Sequence, residues 1–260
     1  MPGTSLANRI AFVTGSDSGI GQAIAEEFAK AGADVVVTFH TDSEGAKETE
    51  RRVSAAGRRA CVLPMNVCDE SSVALVFQEA ELRLGIPDIL VNNAGVGGKG
   101  TSVADTRTED FDLVVKTDLY GPFFCAREFI RRRQKAGGRG KLINITSVHD
   151  TIPSPNQSAY GAAKGGLLTF TRSLALELAP LRINVNAISP GLIRTPMTSK
   201  RTEDPARMRE ELPHIPWNRP GEPREVARLA LYLVSDDADY VTGQNFTIDG
   251  GLEMNWGQGA

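Results

Sequence analysis

Three residues in the middle of the chain have the types and the spacing of a proton-transfer site. Tyr160 and Lys164 are four positions apart, so a helix would place both side chains on one face. A phenol is a poor base at neutral pH, but a neighbouring ammonium stabilises the phenolate. Ser147 follows an apolar run, and its hydroxyl could bind the same substrate oxygen. Together they predict acid/base catalysis at a hydroxyl or a carbonyl group, although the Tyr-x-x-x-Lys spacing alone is common by chance.

A glycine-rich segment near the N-terminus is typical of a phosphate-binding turn. Residues 14–21 read TGSDSGIG and connect an apolar run to a helical pattern. Glycines permit positive φ and let backbone amides approach a pyrophosphate, which the N-terminus of a helix attracts. The spacing is G-x-x-x-G-x-G rather than the general dinucleotide fingerprint, so taken alone the segment could be an ordinary turn. As a cofactor loop it would contribute Gly15, Ser18, Gly19, Ile20 and Gly21.

The segment Asn92-Asn93-Ala94-Gly95 follows another apolar run and permits two interpretations. Its two amides could cross-link neighbouring strand ends and so stabilise a turn. The small residues that follow leave room for a flat ring, so Asn93, Ala94 and Gly95 could contact a cofactor directly. The two interpretations are compatible with each other.

The chain as a whole alternates between short apolar runs and longer segments with helical periodicity. Runs without strict polar alternation are typical of strands buried on both faces of a parallel sheet. The runs cover residues 10–14, 34–39, 60–65, 89–92, 141–146, 183–188 and 245–248, and the helical segments cover 19–31, 43–56, 69–84, 108–135, 157–179 and 222–234. This order predicts an α/β fold, a doubly wound parallel sheet of seven strands with helices on both faces. Ligands bind such sheets at the carboxyl ends of the strands, where the candidate residues fall.

No polar linker divides the 260 residues, so we expect one domain over residues 1–260 that both binds the dinucleotide and performs catalysis. The segment 191–221 interrupts the strand–helix alternation, is rich in Pro, Arg and Glu, and is expected to extend above the sheet. Within it, residues 195–221 are predicted to be a mobile substrate lid, in which the prolines limit how far a helix can extend.

Composition excludes several classes of function. Hydrophobic residues make up 41% of the chain and charged residues 23%, and the formal net charge is −3, which does not suit a dedicated nucleic-acid-binding protein. The sequence has no apolar run long enough to span a membrane, and its N-terminus does not resemble a secretory signal. The three cysteines lack zinc-ligand spacing, so we expect reduced thiols, no metal site and a cytoplasmic protein.

In combination, these motifs resemble the short-chain dehydrogenase/reductase family, in its short form with a single Rossmann domain. The resemblance extends from residue 9 to residue 251 and is carried by five motifs in family order. They are the glycine-rich turn, the Asn-Asn-Ala-Gly segment, Ser147, the Tyr-x-x-x-Lys pair and Pro190-Gly191. The resemblance implies NAD(P)-dependent oxidation of an alcohol or reduction of a carbonyl.

The resemblance also implies roles for individual residues. Tyr160 would be the general acid/base, Ser147 would orient the substrate oxygen, and Lys164 would bind hydroxyls of the nicotinamide ribose. A homotetramer, built largely from the helical segments 108–135 and 157–179, is implied as well. Further cofactor contacts are implied for Pro190, Gly191, Ile193 and Thr195.

Two positions depart from the family's pattern. Asp118 stands where many members have an asparagine that supports a water leading from the lysine. It could still accept a hydrogen bond from that water, but its charge would partly cancel the effect of Lys164 on Tyr160. We therefore expect retained activity with a shifted pH optimum. Asn66, followed by Val67, stands where the family usually has Asp-Val beside the adenine, and either end of its amide could contact the base.

The sequence leaves the choice between NAD and NADP open, with a lean to NADP. An acid at the end of the second strand favours NAD, because it accepts from the ribose 2′-hydroxyl and repels a 2′-phosphate. The second run ends with Phe39 and His40 and has no acid at its tip, while Asp42 is expected in the following loop. His40 stands where related enzymes often have arginine. Ser18, however, is not the basic residue that many NADP enzymes carry before the second glycine.

The residues after Ser147 resemble those of the bacterial glucose 1-dehydrogenases and their aldose and polyol relatives. In those enzymes a serine-valine-histidine-acid stretch lines the pocket, and the same stretch begins at Ser147. The resemblance implies a sugar or polyol substrate that contacts Ser147 and Tyr160, with His149, Asp150 and Asn156 as hydrogen-bond partners for its hydroxyls. Alternatively, His149 and Asp150 only hold the strand-to-helix loop together.

Two other functions remain open at this point. A 3-oxoacyl-carrier-protein reductase or another ketone reductase would share every catalytic residue. Its carrier would need a basic docking surface, for which the cluster at 131–141 is the candidate, but those residues are predicted instead to be solvated cations at a helix end. The third hypothesis is an inactive, cofactor-binding interaction protein. Asp118 supports it, and the intact catalytic residues argue against it.

Overall fold

The computed structural model describes residues 5–255, so the first four and last five residues of the predicted domain lie outside the described part. A parallel sheet forms its centre, with the strand order β3-β2-β1-β4-β5-β6-β7. The strands are β1 (Ile10–Val13), β2 (Asp34–Phe39), β3 (Ala60–Pro64), β4 (Ile89–Asn92), β5 (Gly140–Ile145), β6 (Ile183–Pro190) and β7 (Asn245–Ile248). The predicted seven-stranded, doubly wound fold is confirmed.

Helices connect the strands and cover both faces of the sheet. They are α1 (Gly19–Lys30), α2 (Ser43–Ala55), α3 (Glu70–Leu84), α4 (Thr108–Val115), α5 (Gly121–Lys135), α6 (Ser158–Leu178), α7 (Ser199–Thr202), α8 (Pro205–Glu211), α9 (Pro223–Val234) and α10 (Leu252–Asn255). One apolar core lies beneath α1, α2 and α9, and the other beneath α3, α5 and α6. Successive strand residues alternate between the cores: Val13 faces the first, and Phe12 faces the second, where its ring stacks on Phe77 with centroids 4.1 Å apart.

The order of the strands reverses at β1, which pairs with β2 on one side and with β4 on the other. The chain first moves outward through β2 and β3, and then returns across the sheet to begin again at β4. The connections after β1 and β4 therefore diverge and leave a crevice at the carboxyl edge of the sheet. The glycine-rich turn and the Asn-Asn-Ala-Gly segment lie on the two sides of that crevice.

The helical segment predicted over 108–135 is continuous but not uniform. A π-helical turn, Lys116–Tyr120, joins α4 to α5. Such turns insert one extra residue into a helix and frequently occur at functional sites. Asp118 lies in this turn, and its side chain points inward and is fully buried.

The basic cluster at 131–141 is not simply a solvated helix end. Arg132 pairs with Glu81 at 3.0 Å, and Arg133 pairs with Asp88 at 3.2 Å. Lys141 lies in β5 rather than on the helix and is only 5% exposed. For these three residues the prediction of solvated cations is wrong, because each is used to neutralise or bind a group within the fold. They offer no free positive charge to a docking partner.

The segment 195–221 leaves the sheet and returns to it. It contains α7 and α8, and an isolated parallel bridge between Ile193 and Gly221 closes its base. Pro213 lies in the short 3₁₀ turn that directly follows α8. The proline thus stands where the α-helix ends, as the sequence predicts, while the mobility of the segment stays a prediction.

Candidate active site

A cavity of about 650 Å³ opens at the carboxyl edge of the sheet. Motifs that are far apart in the sequence meet in its wall, as expected for a doubly wound fold. The predicted site residues that line it are Gly15, Ser18, Gly19, Ile20, Phe39, His40, Asn66, Val67, Asn93, Ala94, Gly95, Asp118, Ser147, Tyr160, Lys164, Pro190, Gly191, Ile193 and Thr195. A nicotinamide dinucleotide is of a size that a cavity of this volume can hold.

The glycine-rich turn has the geometry of a phosphate-binding loop. Gly15 and Gly19 have φ angles of +58° and +54°, at which a side chain would be strained. A Cβ on Gly21 would overlap the carbonyl oxygen of Gly15 and the side-chain amide of Asn93. No side chain caps α1 by a hydrogen bond, so the first backbone amides of the helix are left for an anion. Backbone amides and close approach, rather than charged side chains, therefore fit this turn to a pyrophosphate.

Asn93 braces the glycine-rich turn against β4. Its Nδ2 donates to the backbone oxygens of Thr14 and Gly15, each at 2.9 Å. In return, Oγ1 of Thr14 accepts from the backbone amides of Asn93 and Ala94, each at 2.9 Å. The Asn-Asn-Ala-Gly segment therefore cross-links the strand ends, and its small residues Ala94 and Gly95 also line the cavity.

Ser147, just after β5, and Tyr160 and Lys164, near the start of α6, line the same cavity. Ser147 is 8% exposed and accepts a hydrogen bond from the backbone amide of His149 at 3.2 Å. Tyr160 and Lys164 lie one turn apart in α6, and Nζ of Lys164 is 5.6 Å from the centre of the Tyr160 ring. The buried ammonium also donates to the carbonyl oxygen of Ile145 at 3.1 Å. The end of β5 thus holds the lysine beneath the tyrosine.

Asp118 is buried against Lys164. Its Oδ2 lies 3.0 Å from Nζ, and its Oδ1 accepts from the backbone amide of Val96 at 2.8 Å. Burial raises the pKa of Asp118, and Lys164 offsets that effect only in part. Burial alone would lower the pKa of Lys164, but the attraction of Asp118, aided by Tyr160, outweighs it and raises that pKa. The ammonium is therefore held in its charged form beside the tyrosine.

A chain of buried polar side chains fixes α6 against the sheet. Asn92 in β4 donates from Nδ2 to Oδ1 of Asn144 in β5 at 2.8 Å, and Asn144 donates from Nδ2 to Oγ1 of Thr171 in α6 at 2.8 Å. Buried polar groups of this kind specify one arrangement, because any other leaves them unpaired. This series of hydrogen bonds thereby fixes the position of Tyr160 relative to Ser147.

The end of the cavity at β2 and β3 is more open. Phe39 is half-buried at the tip of β2, and His40 is exposed at the rim. Oδ1 of Asn66 accepts from the backbone amide of Cys68 at 3.0 Å. The oxygen of the Asn66 side chain is therefore the end that is hydrogen-bonded within the turn after β3.

Two predicted substrate contacts do not line the cavity. Nδ1 of His149 lies 3.1 Å from the carbonyl oxygen of Ile152, and its ring meets that of Tyr160 edge-on at 6.1 Å between centroids. Asn156 is exposed with a φ of +63° and lies in a separate small cleft. Their role as substrate contacts stays a prediction.

Asp150 holds the loop after β5 in place. Oγ of Ser189 in β6 donates to its Oδ2 at 2.5 Å, and the same oxygen accepts from Nδ2 of Asn245 in β7 at 3.4 Å. Ser189 also bonds to Thr146 at 2.7 Å, directly before Ser147. The loop-holding interpretation of Asp150 therefore has direct structural support.

Several cavity residues were not identified from the sequence. Asp17 directly precedes the predicted loop residue Ser18, and Val96 directly follows Gly95. Including the immediate neighbours of the predicted residues would therefore have found both. Leu113 and Met197 reach the cavity from α4 and from the start of the segment 195–221, and no local pattern distinguishes them from surface residues. The cavity residues missed were Asp17, Thr38, Thr41, Met65, Cys68, Val96, Leu113, Thr117, Ile145, Thr146, Pro196, Met197 and Thr198.

Within residues 5–255, no helix is long and apolar enough to cross a membrane. The same residues contain no group of three or more His, Cys, Asp or Glu side chains arranged to hold a metal ion. The cysteines Cys61, Cys68 and Cys125 are all free thiols.

Known dehydrogenases and reductases are similar to this chain in sequence and in structure. The family model described as enoyl-(acyl carrier protein) reductase matches residues 15–253. Glucose 1-dehydrogenase 2 of Bacillus subtilis is 36% identical over 249 residues, which cover 96% of both chains. The crystal structure of acetoin dehydrogenase from Enterobacter cloacae superposes with a TM-score of 0.89 at 38% identity, covering 98% of this chain and 100% of that one. A putative 2-deoxy-D-gluconate 3-dehydrogenase from Agrobacterium tumefaciens, solved with bound NADP, has a TM-score of 0.88 at 35% identity and covers 97% and 99%.

Proposed function

Because the chain belongs to the short-chain dehydrogenase/reductase family and is an NAD(P)-dependent oxidoreductase, we propose that it interconverts the hydroxyl and carbonyl forms of a sugar or polyol. One observation carries the proposal: Ser147, Tyr160 and Lys164 line one side of a cavity whose other side is the glycine-rich turn. In this proposal Tyr160 is the general acid/base, and Ser147 holds the substrate oxygen.

The residues present fit a nicotinamide dinucleotide. The amides of the glycine-rich turn would hold the pyrophosphate, and Lys164 would bind the nicotinamide ribose. Ile193 and Thr195 would contact the carboxamide from the far side of the cavity. When bound, the cofactor accepts a hydride from the substrate carbon or donates one to it.

The proton moves through the chain's own residues. The hydroxyl of Ser147 donates a hydrogen bond to the substrate oxygen, and Tyr160 takes the proton from that oxygen or returns it. The ammonium of Lys164 favours negative charge on the tyrosine oxygen. Asp118 acts through Lys164, because it keeps the buried ammonium charged and fixed in position.

The choice of a sugar or polyol is supported by relatives that are named for glucose and for 2-deoxy-D-gluconate. His149 and Asn156 are retained as proposed substrate contacts, which requires their side chains to turn towards the cavity when substrate binds, since Asp150 holds the loop after β5 in place. A site that bonds several hydroxyls would discriminate strongly against analogues that lack them, because its polar groups would be left unpaired.

A small ketone or hydroxyketone is the second candidate substrate. Val96, Leu113 and Met197 contribute apolar side chains to the cavity wall, and Val96 packs in the same small apolar cluster as Tyr160. The relative from Enterobacter cloacae is named for acetoin, a substrate of this kind. A carrier-bound oxoacyl substrate has less support, because Arg132 and Arg133 of the cluster at 131–141 are paired within the fold.

A substrate panel with nicotinamide absorbance as readout tests the proposal. Glucose, gluconate and sorbitol would be compared with acetoin and diacetyl by kcat/KM, with Tyr160→Phe as the inactive control. A sugar or polyol that exceeds both ketones by at least about tenfold would support the first candidate. The reverse order would support the second, and cofactor binding without turnover of any member would contradict the enzymatic proposal.

We also propose a cytoplasmic homotetramer formed through α4, α5 and α6. Exposed aromatic side chains at Phe111, Tyr120 and Phe123, which are 39%, 50% and 37% exposed, support such an interface. The segment 195–221 is proposed to close over the substrate as a lid. Light scattering of the purified protein tests the tetramer, because a monomer would scatter as one chain of 27.9 kDa.

A further inference from the structure

The β2 end of the cavity, formed by Asp17, Ser18, His40 and Thr41, carries a charge pattern that bears on the choice of cofactor. In the sheet, β2 is separated from β5 by β1 and β4, so this end lies about 14 Å from the catalytic residues. In a doubly wound nucleotide-binding fold the adenosine ribose lies at the end of β2. Groups at the β2 end would therefore lie near the ribose hydroxyls or the 2′-phosphate of a bound dinucleotide.

Two carboxyl groups lie at or beside the β2 end. Asp17 lines the cavity from within the glycine-rich turn. Asp42 follows β2 and caps α2, where its side chain accepts from the backbone amide of Gly45 at 2.9 Å. Burial and the charge of Asp42 both raise the pKa of Asp17, so the two carboxyl groups are within electrostatic reach of each other.

Cations that could balance a phosphate are missing from this part of the cavity. Among the residues that line it, Lys164 is the one with a lysine or arginine side chain, and it lies at the β5 end. The first basic residue of α2, Lys47, is paired with Glu44 at 2.7 Å. A 2′-phosphate would therefore enter a region of negative charge without a basic partner in the cavity wall.

We propose that Asp17 selects NAD over NADP, by accepting a hydrogen bond from a ribose hydroxyl and repelling a 2′-phosphate. Asp17 thus supplies from the glycine-rich turn the acid that the tip of β2 lacks. The proposed preference for NAD is opposite to the preference for NADP that the residues at the tip of β2 favour. The proposal depends on the cofactor use of the proposed function, but not on the identity of its substrate.

The test measures binding without any catalytic step. ADP-ribose and 2′-phospho-ADP-ribose, which both lack nicotinamide, would be titrated into the protein by calorimetry. We expect ADP-ribose to bind at least about tenfold more tightly at low salt, with a smaller ratio at high salt, because the repulsion is electrostatic. In Asp17→Asn the ratio should fall several-fold, mainly through tighter binding of the phosphorylated ligand.

A matched control and a gain-of-affinity variant complete the design. Asp237→Asn removes the same charge at an exposed position outside the cavity and should leave the ratio unchanged. His40→Arg adds a cation at the exposed rim and should raise the affinity for 2′-phospho-ADP-ribose several-fold without disturbing the core.

The outcomes separate this proposal from the proposed function. If the wild-type protein binds 2′-phospho-ADP-ribose as tightly as ADP-ribose, or more tightly, the selection of NAD by Asp17 would be overturned and the proposed function would stand. An unchanged ratio in Asp17→Asn would overturn it as well, whatever the effect of His40→Arg. Failure of both ligands to bind would overturn it together with the cofactor use on which the proposed function depends.

Discussion

Oδ2 of Asp118 lies 3.0 Å from Nζ of Lys164, and both side chains are buried. Gly95 makes room for this pair, because a Cβ at that position would come within 2.9 Å of the carboxylate. The pair joins the π-helical turn to α6 and lies directly beneath the proposed catalytic tyrosine. Its two charges act in opposite directions on Tyr160: the ammonium favours the phenolate, and the carboxylate opposes it.

Replacing Asp118 by asparagine should retain activity and change its pH dependence. In Asp118→Asn, burial lowers the pKa of Lys164 without the opposing attraction of Asp118, but below that pKa the ammonium acts on Tyr160 without an opposing carboxylate, so the phenolate forms at lower pH. We expect the pH at which alcohol oxidation reaches half its maximal rate to fall by about one unit. The measurement is kcat/KM across pH with the preferred substrate.

The control for this variant is Asp112→Asn, which removes an exposed carboxylate of α4 that is paired with Lys116 at 3.4 Å. Its pH profile should match that of the wild type. A profile of Asp118→Asn that also coincides with the wild type would show that the buried carboxylate has no electrostatic influence on the reaction.

Replacing Gly21 by alanine should impair cofactor binding. The added Cβ would overlap the backbone of Gly15 and the amide of Asn93, so the glycine-rich turn would have to move. We expect at least about tenfold weaker binding of ADP-ribose and a loss of about 1–3 kcal/mol in the free energy of unfolding. Gly97→Ala is the matched control, since a Cβ there meets no atom within 4 Å. Equal affinity in the two variants would contradict the proposed role of the turn.

Replacing Tyr160 by phenylalanine should remove the acid/base group and spare the fold. The expected loss in kcat is about 10²- to 10⁴-fold, the usual contribution of a positioned proton donor or acceptor. Calorimetry should show unchanged binding of ADP-ribose, because the glycine-rich turn is not altered. Tyr232→Phe, on the partly exposed side of α9, is the control and should retain full activity. Near wild-type turnover by Tyr160→Phe would exclude the assigned role.

Much of the site could be predicted because strand ends are visible in the sequence. Ser147 follows the run that becomes β5, and the glycine-rich turn follows β1, so the topology alone brings them to one edge of the sheet. The spacing of Tyr160 and Lys164 is a property of the helix and needs no tertiary information. Local chemistry and strand order together therefore determine most of the cavity.

The remaining features depend on contacts between distant segments. The π-helical turn at 116–120 leaves no clear trace in the apolar pattern, although it is what directs Asp118 towards Lys164. Lys141 was grouped with neighbouring arginines by its charge, but its position in β5 buries it. The predicted contact from His149 likewise does not reach the cavity, since its ring nitrogen is bonded to Ile152.

The base of the proposed lid is held by a pair whose contribution should depend on pH. Arg219 bonds to both carboxylate oxygens of Glu225 at 2.7 and 2.8 Å, and Glu225 also accepts from the backbone amide of Glu222 as part of the cap of α9. Arg219, with the Glu222 amide, lowers the pKa of Glu225 to about 2. A lowered carboxyl pKa means that the stabilisation is fully present above the ordinary pKa of 4.5 and is lost as the pH falls towards 2.

The substitution Glu225→Gln should therefore destabilise the protein at pH 7 and have less effect at pH 3. Because the pair is partly exposed, solvent screening limits the effect at pH 7 to about 1 kcal/mol, or roughly 2–4 °C in Tm. Thermal unfolding of both proteins at the two pH values measures the difference. Glu210→Gln, which breaks an exposed pair with Arg207 at 3.5 Å that caps no helix, should change Tm by much less at either pH. A Tm difference for Glu225→Gln that is the same at pH 3 as at pH 7 would mean that its cause is not the charge of this carboxylate.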